Sequence, residues 1–171
     1  MAAATVDLTS PITSSFSASR AWVHPSDGFR AFRVIDWAEV NTVKESATAQ
    51  NDTVDVLKIP AGSFVKDVIV RQLVAPTSTA AETMTVGDTT NGPTCYLTTF
   101  DLQSAANVCA AASGTAIYSQ AAGGLTITYL GGLFYSAADA IRVTLNSSAA
   151  ITAGKTEFSA CIIPLGSGVT I

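Results

Sequence analysis

The single histidine, His24, limits what chemistry this sequence can do. A Ser-His-Asp set needs an imidazole held by the fold between nucleophile and carboxylate. His24 instead lies in a turn-rich passage, Trp22-Val23-His24-Pro25-Ser26-Asp27-Gly28, and reads as a surface or packing residue. A metal-dependent enzyme on a β-barrel scaffold would bring two or more histidines to the metal, and a zinc site needs four Cys or His ligands. The three cysteines, Cys95, Cys109 and Cys161, form no CxxC pair and read as reduced, partly buried thiols.

The carboxylates offer little more. Asp36 with Glu39 and Asp52 with Asp55 are close in sequence, but each pair has opposite strand parity, so they read as solvent-facing charges rather than an acid/base couple. Asp88-Thr89-Thr90-Asn91-Gly92 has the oxygen donors and glycine of a calcium loop. It lacks the alternating spacing and terminal Glu of an EF-hand, and a hairpin loop explains it. No GxSxG, P-loop, GxGxxG or HExxH motif occurs. Asn51-Asp52-Thr53 and Asn146-Ser147-Ser148 match the glycosylation sequon by chance, since no signal peptide is recognisable. No catalytic, cofactor-binding or metal-binding residue is assigned, and a non-enzymatic protein without cofactor is expected.

The composition points to assembly. Of 171 residues, 48% are hydrophobic and only 13% charged, against a usual charged share of about 25%. A surface of Ala, Ser, Thr and Gly with few charges is the kind that becomes buried in a partner. The net charge of −4, with scattered Lys and Arg, disfavours nucleic acid. No run of 18 apolar residues exists to cross a bilayer, so no membrane partner is expected.

The elements that would carry such contacts are mostly strands. Residues 1–30 lack periodicity and are dotted with Val6, Leu8, Ile12, Phe16 and Trp22, which reads as an extended N-terminal arm; residues 31–171 read as one domain. Leu125 to Tyr129 and Ile141 to Leu145 alternate strictly between apolar and polar. Phe32 to Val43, Thr53 to Ile59, Phe64 to Val74, Thr83 to Val86, Leu133 to Tyr135 and Thr156 to Ile163 are rich in Val, Ile, Thr and aromatics. Val65 to Val74 carries apolar residues on both parities, which predicts core on one face and partial cover by another subunit on the other. Glycine and proline signals, among them Gly123-Gly124 and Gly131-Gly132, punctuate the runs. Leu102, Ala105, Ala106 and Cys109 fall at helical spacing, with Thr99 or Asp101 as a cap, and predict one short helix within Thr98 to Ala112. About eight strands predict an all-β fold, an antiparallel β-sandwich of jelly-roll type.

Ile59-Pro60-Ala61-Gly62-Ser63-Phe64-Val65-Lys66-Asp67-Val68, then Thr83-Met84-Thr85-Val86-Gly87-Asp88 and Tyr96-Leu97, resembles the small jelly-roll head decoration, or cement, proteins of tailed bacteriophages. The likeness is sharpest over residues 59–100. It implies a homotrimer on the outer surface of the capsid, made in the host cytoplasm, that stabilises the head by bridging major capsid protein subunits. It implies no cofactor and no active site. Large aromatics and arginines most often anchor interfaces, so Phe16, Arg20, Trp22, Arg30 and Arg33 are the candidate interface residues. The alternatives are another virion component (head fibre, tail or small coat protein) and a carbohydrate-binding β-sandwich module, which would present Trp and Tyr on one face.

Overall fold

The computed structural model describes residues 5–7, 29–76, 82–103, 108–112, 115–119, 132–147 and 149–165. Eleven strands and one helix lie among them: β1 (Thr5–Asp7), β2 (Phe29–Asp36), α1 (Trp37–Lys44), β3 (Thr53–Ile59), β4 (Ser63–Val74), β5 (Thr83–Gly87), β6 (Leu97–Asp101), β7 (Val108–Ala112), β8 (Thr115–Ser119), β9 (Leu133–Tyr135), β10 (Asp139–Leu145) and β11 (Lys155–Pro164). The expected strand at Leu125 to Tyr129 and the glycines at 123, 124 and 131 lie outside the described residues.

The strands form two sheets, one ordered β1-β3-β10-β5-β6 and the other β2-β11-β4-β7-β8, with β9 also paired to β4. Setting aside β1, β8 and β9 leaves eight strands that pair first with last, second with seventh, third with sixth and fourth with fifth: β2 with β11, β3 with β10, β4 with β7 and β5 with β6. That is one long hairpin rolled into two antiparallel sheets, the jelly roll that the short, regularly punctuated strands predict. β1 departs from the antiparallel rule, since Thr5, Val6 and Asp7 run parallel to Thr53, Val54 and Asp55.

The inner faces make a single core. Ile35, Val70 and Phe158 from one sheet meet Val54, Val143 and Val86 from the other, all buried. Burying such side chains is worth roughly 1.5–3 kcal/mol each. β4 explains its own two-parity pattern. The ladder to β11 shifts between Cys161 and Ile162, leaving Lys66 as the extra residue of a bulge. Val65 and Val68 therefore both point inward, and subunit cover is not needed to bury them.

Two expected elements change identity. The strand expected from Phe32 to Val43 ends at Asp36, whose side chain accepts from the Ala38 N–H at 3.0 Å and caps α1. Asp36 followed three residues on by Glu39 is a capping-box pattern, and it outweighs the β-branched residues beyond it. Among the described residues of Thr98 to Ala112 there is no helix, contrary to expectation. β6 occupies Leu97–Asp101, and Val108–Ala112 forms β7 against β4, with residues 104–107 outside the described set. Alanines at helical spacing give weak amphipathicity, and the open edge of the long strand β4 supplies the ladder that decides the outcome.

Candidate assembly interface

On the six-stranded sheet the outward residues of β2 are Arg30, Phe32, Val34 and Asp36, opposite Cys161, Ser159, Glu157 and Lys155 of β11. The rows continue onto Asp67, Ile69 and Arg71 of β4. Ion pairs mark the rows: Arg30 Nη1 to Asp67 Oδ1 at 3.0 Å, Arg71 Nη2 to Glu157 Oε2 at 3.1 Å and Lys155 Nζ to Asp36 Oδ2 at 3.5 Å. Between them Phe32 is 58% exposed and Val34 40%. Half the surface of a phenylalanine left in water on a strand gives the fold little. Leu73 and Val74, at the far end of β4, and Phe134 of β9 are also exposed. β2 ends the sheet order, so among the described residues it pairs with β11 alone and its other edge is open.

Of the five interface residues expected from sequence, Phe16, Arg20 and Trp22 lie outside the described residues. Arg30 and Arg33 both fall on β2 but on opposite faces. Arg30 points outward to Asp67, with a second bond from Nη1 to Ser159 Oγ at 3.5 Å. Arg33 pairs with Phe158 and so takes the inner side of the edge, where its Nε is buried without a hydrogen-bond partner. The sequence reading missed Phe32 and Val34. They share the parity of Arg30 and Asp36, while Ala31 and Ile35 hold the inner positions, so β2 is apolar on both faces without a bulge and its sequence alone does not say which face is outward.

The remaining chemical candidates resolve into structural contacts. Asp88 is buried and accepts from the Asn91 backbone N–H, from Asn91 Nδ2 at 3.0 Å, from the Tyr135 hydroxyl and from Cys95 Sγ at 3.2 Å. The Tyr96 and Tyr135 hydroxyls share a hydrogen bond. Burial, with the hydrogen bond to and charge of Asp88, pushes the Cys95 thiol far above its ordinary value, which makes it a poor nucleophile. Burial, then Tyr96 and Asp88, raise the Tyr135 phenol in the same way. Asp139 accepts from the Thr89 and Thr90 hydroxyls, each at 2.6 Å, and from the Ala140 N–H at 2.7 Å. Burial alone would raise its carboxyl, yet these bonds prevail and hold it below its usual range. The loop 88–92 is thus tied to β10 by its own hydroxyls and to β9 by the Tyr135 hydroxyl, whose hydrogen bond Asp88 accepts. Gly87 is obligatory there, because a Cβ would stand 2.1 Å from the Gly92 carbonyl oxygen.

Asp52 is not the solvent-facing charge expected. It is buried, paired with Lys44, and accepts from the Ala49 N–H at 2.6 Å. Asp55 binds Arg142 through two hydrogen bonds, Nε to Oδ1 at 2.5 Å and Nη2 to Oδ2 at 2.8 Å. Cys95 and Cys161 are in no disulfide among the described residues; the Cys109 side chain and His24 lie outside the described set. Among the described residues no three His, Cys, Asp or Glu gather as a metal site would require.

With this geometry in hand, the chain is similar to a chain of the acidic stable capsid structure of Helicobacter pylori bacteriophage KHP30, with a TM-score of 0.52 and 11% identity, covering 82% of this chain and 90% of that one. It is also similar to a chain of the capsid of Ralstonia phage GP4, with a TM-score of 0.52 and 12% identity, covering 82% and 86%. At such identities the likeness establishes a shared fold, an all-β sandwich built as in these capsid chains. No protein-family model and no curated protein sequence matches the chain.

Proposed function

We propose that this chain is a structural protein of a phage virion and, within that class, a head decoration protein. It binds the outer capsid surface as a homotrimer and stabilises the shell by bridging major capsid protein subunits. The observation that carries this reading is the jelly-roll order of β2 to β11, matched over 82% of the chain by chains of two phage capsids. The low charge, the β2 edge left open among the described residues and the uncovered Phe32 and Val34 support assembly as the function. The carbohydrate-binding reading is weakened by Trp37. It is 0% exposed, with Nε1 donating to Thr156 Oγ1 at 2.9 Å, so it offers no stacking surface to a sugar.

The test adds the purified protein to undecorated capsids and images them by cryo-electron microscopy, beside a native mass of the free protein. Ordered occupancy on the shell exterior and three chains per particle are expected. An absence of binding overturns the decoration role, and binding to a glycan array instead favours the carbohydrate module. Deleting residues 1–30 should abolish occupancy through the arm carrying Phe16, Arg20 and Trp22; full occupancy of the truncated protein removes the arm from the interface.

A further inference from the structure

We propose that the open edge of β2 pairs with the same edge of a second copy, antiparallel about a two-fold axis at Arg33, joining two six-stranded sheets into one. The argument is the order of chemistry along the strand. Its outward residues run Arg30, Phe32, Val34, Asp36: a cation, two apolar side chains, an anion. Reversed against itself, this series is its own complement. Arg30 meets the partner copy's anion and Phe32 meets a valine, each twice by symmetry. The inner face fits too, since small Ala31 falls opposite large Ile35. The register is specified as well. Sliding the partner so that Phe32 opposes itself sets Arg30 against a valine and leaves Asp36 without its cation; sliding it the other way sets Phe32 against a carboxylate.

The edge has what such a contact uses. Among the described residues β2 pairs only with β11, so the backbone groups along its other side are available, and Phe32 and Val34 are the exposed apolar residues of the strand. The Arg30 and Asp36 side chains are 46% and 38% exposed, and their existing partners, Asp67 and Lys155, lie on the far side of β2 from the open edge. The one unfavourable meeting is Arg33 with itself at the axis, where its Nε already lacks an acceptor. The pairing therefore stays weak and reversible in free solution and gains from being held at high local concentration on a surface.

Two measurements test it. Arg30→Glu and Asp36→Lys should each weaken concentration-dependent self-association by about tenfold or more, read by sedimentation velocity, and an equimolar mixture of the two variants should recover it, because each supplies the charge the other lacks. The recovery separates pairing from damage to the Arg30–Asp67 pair or the α1 cap. Independently, Arg33→Cys should form a disulfide-linked dimer under mild oxidation. Phe32→Cys and Val34→Cys should not do so alone but should when mixed, which reads the register whether or not the particle is a trimer. Failure of Arg33→Cys to cross-link, with no recovery on mixing, overturns the proposal and makes Arg33 the inward charge that blunts an exposed edge. A trimeric mass with the predicted cross-links leaves both readings standing; a trimeric mass without them removes only the two-fold.

Discussion

The two sheets of this sandwich are alike on their inner faces and unlike on their outer ones. Outside the five-stranded sheet, Thr144 pairs with Thr53 on one side and Thr85 on the other, and the next row sets Arg142 against Asp55 in a two-bond ion pair with Gly87 beyond. Arg142 finds its partner within the sheet, whereas the buried Thr85 hydroxyl has no hydrogen-bond partner. Outside the six-stranded sheet, ion pairs mark the Arg30, Glu157 and Lys155 rows, but Phe32 and Val34 at the edge are left in water. A fold stabilised by its inner faces tolerates either exterior. The difference therefore concerns what each face leaves to solvent, and it is the β2 side that exposes apolar side chains.

The deepest cut removes what both faces share. Trp37 opens a buried chain of hydrogen bonds, from its Nε1 to Thr156 Oγ1, from that hydroxyl to Gln72 Oε1 at 2.7 Å and from Gln72 Nε2 to the Val74 carbonyl at 2.7 Å. Trp37→Ala should cost about 3–5 kcal/mol in denaturant unfolding, through the cavity and the donor lost to the Thr156 hydroxyl. A loss below about 1 kcal/mol would mean that α1 is peripheral and that the common core lies elsewhere.

Alkali reaches the loop end without touching either exterior. The Tyr135 phenol is raised in the folded state, while in the unfolded chain it titrates near 10. Below that pH both states keep the proton and the contribution to stability is complete. Above it the unfolded chain binds fewer protons than the folded one, so stability falls with a slope approaching about 1.4 kcal/mol per pH unit. Unfolding measured between pH 9 and 11 should show this decline, and Tyr135→Phe should reduce it, leaving the part that the raised Cys95 thiol contributes. An unchanged slope in the variant would assign the decline to other groups.

The jelly roll was legible because strand alternation and turn residues are local. Ile141 to Leu145 and the Pro60-Ala61-Gly62 turn sit where their patterns place them, with Gly62 at φ 70 between β3 and β4. The errors came where a non-local partner decided. Val108–Ala112 became a strand because β4 had an open side, and Val65 and Val68 share a face because of a bulge that only the ladder to β11 reveals. Of the outward row on β2, residue type singled out one member. Arg30 was expected from residue type, whereas Phe32 and Val34 become conspicuous only once the inward parity of Ala31 and Ile35 is known. Helix α1 was a different kind of miss, since Asp36 and Glu39 carried its capping signal in plain view.

On the exterior of the five-stranded sheet, Arg142→Ala should cost about 1 kcal/mol. The pair is bidentate but partly exposed, with side-chain exposures of 24% and 15%, so solvent screening trims its worth. Capsid occupancy and self-association should not change. A variant that folds normally yet fails to assemble would place the polar face in the interface and invert the comparison.

The smallest effect on the fold should come from Phe32→Ser, because the ring is already mostly in water and its loss opens no cavity. Unfolding free energy should stay within about 0.5 kcal/mol of the parent. Assembly should respond differently, since a large aromatic at the centre of a strand edge is the kind of side chain on which an interface concentrates its energy. Phe32→Ser, and more so Phe32→Ser with Val34→Thr, should therefore lower capsid occupancy and self-association while leaving the melting curve in place. A stability loss of about 2 kcal/mol or more would show that Phe32 serves the fold after all, and the contrast between the two exteriors would then reduce to two ways of covering one core.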